Sequence, residues 1–121
     1  MTIIRCRREG ESHVLTLTGH AGYAPAGGDI VCAGISALAF ALWGWLGQRG
    51  ALEEAAEGSG SLTLRFRADR ESDVALSMAL LGWQIIAETY PHHAEVDRAP
   101  GDRADKREQT AGKEHTRCTN T

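Results

Sequence analysis

The residues with the most chemical potential are His20 and Cys32, with eleven residues between them in "GHAGYAPAGGDIVCA". If Asp29 is the N-cap of a helix beginning at Ile30, Cys32 falls at its third position, in the first turn. The unpaired N–H groups and the positive end of the helix dipole favour an anion there, so the reactive thiolate is stabilised, although the Asp29 carboxylate opposes it. His20, at the end of a strand, is placed to take the thiol proton and to return it to a departing amine. An intermediate oxyanion would be held by backbone N–H groups at the helix start, with that of Cys32 and a neighbour as the expected donors. Ser36 lies one turn beyond Cys32 on the same stripe, either supporting the site or bonded to the carbonyl four residues earlier.

Spacing alone leaves another reading open, since a lone cysteine in an apolar helix is commonly a small core residue. A catalytically silent module that binds an extended peptide in the same groove is a further alternative. His92 and His93 would need His20 and Cys32 to make a metal site, but no pair sits at i, i+4 and no zinc spacing is present, so no metal or other cofactor is expected. Gly27 and Gly28 precede a helix without the Lys and Ser/Thr of a phosphate loop, and Asp29 would repel a phosphate.

These groups must be positioned by strands expected at 2–8 and 13–19, joined by a turn at Glu9-Gly10-Glu11. A loop with Pro25, Gly27 and Gly28 leads to a helix from Ile30 to about Arg49, with Val31, Ile35, Leu38, Leu42 and Trp45 at helical spacing. Apolar on almost every face, that helix calls for cover on two sides, by the sheet and by a second helix or another subunit. "ALEEAAEGSGS" (51–61) reads as a solvent-facing connection, and "SLTLRFR" (61–67) as the clearest strand. Asp69 or Ser72 caps a second helix carrying Val74, Met78, Leu81 and Ile85, which Tyr90-Pro91 ends before a short strand around Ala94 and Val96. The order β-β-α-β-α-β predicts an α+β fold, a mainly antiparallel sheet of about four strands with two helices on one face. From Arg98 the chain has no Leu, Ile, Val, Met or aromatic residue, which divides it into a domain at 1–97 and a disordered polar tail at 98–121.

Composition narrows the class further. Residues 1–97 hold 7 Lys/Arg against 12 Asp/Glu, an acidic body that excludes a nucleic-acid footprint. Cys6, Cys32 and Cys118 form no disulfide or zinc pattern, and the N-terminus has no signal-peptide run, so a cytoplasmic protein is expected. Ile30 to Leu46 is 17 residues without a charge, but it contains Gly34, Ser36 and Gly44 and abuts Asp29; a buried helix is favoured over a membrane span. Cys6 is expected to face the core, Cys118 to be a tail thiol, and Trp43, Trp45 and Trp83 to fill core or subunit contacts.

Gly19-His20-Ala21, a glycine-containing loop, Asp29-Ile30-Val31-Cys32-Ala33, Ser36 and the small-residue apolar helix together resemble the ribosomal-processing cysteine protease (Prp) family over about residues 1–97. The resemblance implies a Cys32–His20 catalytic dyad, supported by Asp29, Ser36 and Gly19, with Gly22, Tyr23, Gly27 and Gly28 in a loop that closes over substrate. It also implies a homodimeric cysteine endopeptidase that removes an N-terminal extension from a large-subunit ribosomal protein. Gly34 stands where a larger small residue is usual, and "APAGG" replaces a more polar, often aromatic loop. Relatives in bacteriophage gene sets make a capsid or scaffold protein the alternative substrate.

Overall fold

The computed structural model describes residues 1–19 and 29–98. Alternating apolar residues build β1 (Thr2–Glu9) and β2 (Ser12–Thr18), which pair antiparallel about a turn where Gly10 takes φ +62°. α1 (Ile30–Gln48) follows, then β3 (Leu52–Gly58), β4 (Ser61–Arg67), α2 (Arg70–Thr89) and β5 (Ala94–Arg98). The five strands lie in the order β3-β4-β2-β1-β5, antiparallel except where β5 joins β1 in parallel. The expected α+β class and element order hold. The sheet has one strand more than expected, because 52–58 is an edge strand and not a connection.

Register aligns the apolar positions into one buried face. Ile4 lies opposite Leu17 and Leu17 opposite Leu62, while Cys6, Leu15 and Leu64 form the next row. All six are at least nine-tenths buried, against Val31, Ile35, Ala39, Leu42 and Leu46 of α1 and Leu76, Ala79, Leu80 and Trp83 of α2. α1 is long and apolar enough to cross a membrane by length and composition, yet this stripe of five residues is built into the core. The opposite face of the sheet carries Arg5, Arg7 and Arg65, tied to Asp97 and Glu9.

Both helix starts are capped by aspartate. Asp69 accepts from the Ser72 N–H at 2.9 Å, and this bond, together with the Arg67 guanidinium, holds its carboxyl well below the usual carboxylate range. Arg49 follows α1 and reaches the Ser72 hydroxyl at 2.9 Å and Asp69 at 3.3 Å, linking the end of one helix to the start of the next. Gly50, at φ +72°, ends α1 with the Ala51 N–H returning to the Leu46 carbonyl, a left-handed closure that suits glycine.

The helices meet closely at two glycines. A Cβ on Gly82 would come within 2.7 Å of Leu38, and one on Gly34 within 3.4 Å of Ile86. Beside them Trp83, fully buried, donates its indole N–H to the Ile35 carbonyl at 3.1 Å. Its ring fills the space between helices and its N–H finds the partner that burial requires. Trp83→Ala is expected to cost about 3–5 kcal/mol of stability in urea unfolding, since it leaves a cavity in the layer that anchors α1.

Candidate active site

The first turn of α1 is organised by Asp29. Its backbone is extended (φ −88°, ψ 98°), its carbonyl accepts from the Ala33 N–H at 3.1 Å, and its carboxylate accepts from the Cys32 N–H at 2.8 Å. Cys32 is therefore the third helical residue, as the spacing predicts. The Cys32 N–H, one of the expected oxyanion donors, is engaged by the Asp29 carboxylate. Ile30 and Val31, the first two helical residues, likewise have N–H groups with no helical acceptor, since the helical bonds begin at Ala33.

The Cys32 side chain is half-buried, in contrast to buried Cys6, which is 3 % exposed and packs in the core. A cleft of about 190 Å³ opens beside it. One wall is the α1 stripe Cys32, Ser36, Ala39 and Phe40; the other comes from Glu57, Gly58, Gly60, Ser61 and Leu62 of the β3–β4 hairpin, with Thr2, Leu17 and Gly19 at its end. Ser36 sits one turn from Cys32, and its hydroxyl makes no hydrogen bond to any described residue, so the bond to the Cys32 carbonyl is not formed. Cleft-lining Glu57 was not singled out by the sequence, because nothing in "LEEAAEG" indicates which face of a strand it occupies.

Gly19 brings the end of β2 to this cleft. It has φ +94°, donates its N–H to the Gly60 carbonyl at 2.8 Å, and leaves no room for a side chain: a Cβ would lie well inside contact distance of the Met1 carbonyl oxygen. Both conformation and space demand glycine. The structure thus brings together Gly19, Asp29, Cys32 and Ser36. His20, Gly22, Tyr23, Gly27 and Gly28 lie outside the described residues. So does the tail from residue 99, with Cys118; β5 itself runs to Arg98, one residue past the expected boundary. Among the described residues, no group of three or more His, Cys, Asp or Glu side chains could hold a metal ion.

A half-exposed thiol on the first turn of a core helix, opening into a cleft at the sheet edge, fits a thiol-dependent peptidase. The family model described as "Cysteine protease Prp" matches residues 1–95, and the chain belongs to that family of cysteine proteases. It is similar to the crystal structure of an essential ribosomal processing protease Prp from S. aureus with a covalently linked product peptide, at TM-score 0.74 and 23% identity. That alignment covers 82% of this chain and 100% of the other. The same S. aureus protease with a substrate peptide aligns at TM-score 0.63 and 21% identity, again over 82% of this chain and 100% of the other. SMU.848 from Streptococcus mutans aligns at TM-score 0.60 and 25% identity, over 82% and 96% of the two chains. A comparison with curated proteins finds no match.

Gly19→Ala tests how the end of β2 is held. The variant is expected to lose about 2 kcal/mol or more in thermal or urea unfolding, from backbone strain plus the clash with the Met1 carbonyl. A Gly10→Ala control has no atom within 4 Å of the added methyl and bears only the strain of φ +62°. It is expected to lose less.

Proposed function

We propose that the chain is a cysteine endopeptidase that removes an N-terminal extension from a large-subunit ribosomal protein, with Cys32 as nucleophile and His20 as its acid–base partner. The observation that carries this reading is the half-buried Cys32 thiol on the first turn of α1, lining a cleft whose end is Gly19, the residue bonded to His20. The ribosomal substrate is supported by family membership and by the described function of the similar S. aureus protease.

His20 accepts the Cys32 proton, and the thiolate sulfur bonds to the scissile carbonyl carbon. The N–H groups of Ile30 and Val31 are the donors for the resulting oxyanion, because Asp29 occupies that of Cys32. His20 gives its proton to the amine as the carbon–nitrogen bond breaks, leaving a thioester on Cys32. Water, deprotonated by His20, then attacks the thioester and releases the acid and the thiol. Asp29 fixes the helix start, and Ser36, whose hydroxyl has no partner among the described residues and lines the cleft, is a donor for substrate.

The enzyme acts as a homodimer in the cytoplasm, where ribosomal proteins are assembled. Trp45 of α1 and Val74, Met78 and Leu81 of α2 are all exposed, and these outer helix faces support a second copy as their cover. Light scattering on the purified chain is expected to give twice the monomer mass, and Met78→Glu with Leu81→Glu to return it to one.

Candidate ribosomal and capsid proteins incubated with the wild type test the reaction by intact mass. A ribosomal protein shortened at its N-terminus by the wild type, with Cys32→Ser reducing the rate about 10³-fold or more and His20→Ala about 10²-fold or more, is the expected result. Retained cleavage by both variants would overturn the dyad. Truncation of a capsid protein alone would replace the substrate.

A further inference from the structure

Register across the buried face of the sheet exposes one residue out of place. The row through Ile4 runs Val96, Ile4, Leu17, Leu62 and, on the edge strand β3, Glu57. Four of the five are apolar and pack in or against the core; the fifth is a carboxylate on the same face. It remains exposed because α1 lies over the centre of the sheet and leaves β3 largely uncovered. Among the described residues Glu57 makes no ion pair and no hydrogen bond.

Glu57 differs in this from the other acids of its strand. Glu53 bonds to the Ser12 hydroxyl at 2.7 Å and lies 3.5 Å from Arg65, and Glu54 pairs in register with Arg65 itself. Charges of that kind guard an exposed strand edge. Glu57 instead lines the Cys32 cleft, where Leu17, Leu62, Ile35, Ala39 and Phe40 supply apolar walls. An unpaired carboxylate on this face adds nothing to core packing, and its place in the lining of the Cys32 cleft puts it within reach of a bound substrate. A cleft with apolar walls and one carboxylate matches a side chain with an aliphatic stem and a cationic head.

We propose that Glu57 is a specificity-determining residue that selects a lysine or arginine side chain of the substrate, seated in the cleft beside Cys32. The stem lies along Leu62 and Phe40 and the cation meets the Glu57 carboxylate. The inference rests on Cys32 being the nucleophile.

Aza-peptide epoxides, which carry residues on both sides of the reactive carbon, test this by the rate of Cys32 alkylation read by mass spectrometry. Each probe position carries Lys or its uncharged analogue norleucine in turn. At one position the Lys probe is expected to react about fivefold faster with the wild type, the upper end for a half-exposed ion pair. Measured relative to each variant's own rate with iodoacetamide, which has no side chain to place and so corrects for any change in thiol reactivity, that advantage disappears in Glu57→Gln and reverses in Glu57→Lys. A Lys preference that survives in both variants, or no preference at any position in the wild type, would overturn the proposal. If neither iodoacetamide nor any epoxide modifies Cys32 ahead of Cys6, the nucleophile assignment falls and the selectivity proposal falls with it.

Discussion

The bond from the Cys32 N–H to the Asp29 carboxylate is the constraint on which the site depends. It decides where α1 begins, and with it which residue occupies the third helical position. The rest of α1 cannot slide to compensate, because Val31, Ile35, Ala39, Leu42 and Leu46 are locked into the core and Trp83 is hydrogen-bonded to the Ile35 carbonyl. Cap and core together hold the sulfur at one place relative to the sheet. The same bond engages the backbone N–H of the residue that carries the thiol, so Asp29 fixes both the helix start and the Cys32 backbone.

The cleft exists because cover and sheet do not match in width. Two helices span the central strands, and β3 projects beyond them with most of its side chains in water. The β3–β4 hairpin can thereby face the α1 stripe of Cys32, Ser36 and Phe40 across a gap in place of a packed contact. At the end of that gap, Gly19 permits the close approach of β2 to the Met1 backbone and bonds to Gly60 of the hairpin. A wider helical layer would bury Glu57 and close the groove.

Much of this was legible in the residue pattern, for reasons that also explain the misses. Period-two alternation in β1, β2 and β4 and the Val31, Ile35 and Leu42 spacing in α1 report burial directly, and Asp29 and Asp69 announce the helix starts. In α2 the spaced set Val74, Met78 and Leu81 is exposed, and the buried stripe is instead Leu76, Ala79, Leu80 and Trp83. "LEEAAEG" failed as a strand signal because it has neither alternation nor β-branched residues; its state follows from pairing with β4, through a register shift near Leu52 and Glu54. The motif around Cys32 identified Asp29, Ser36 and Gly19 as neighbours. That Asp29 engages the Cys32 N–H is a matter of side-chain geometry, and Glu57 needed the register of four strands before its face was known.

Site-resolved alkylation of the native protein by iodoacetamide tests the central claim most directly, because it compares Cys32 at the capped helix start with core-buried Cys6 and requires no substrate. Cys32 is predicted to react at least about tenfold faster than Cys6 near neutral pH and to slow in His20→Ala. Equal rates at the two cysteines, or a Cys32 rate untouched by His20→Ala, would contradict the account.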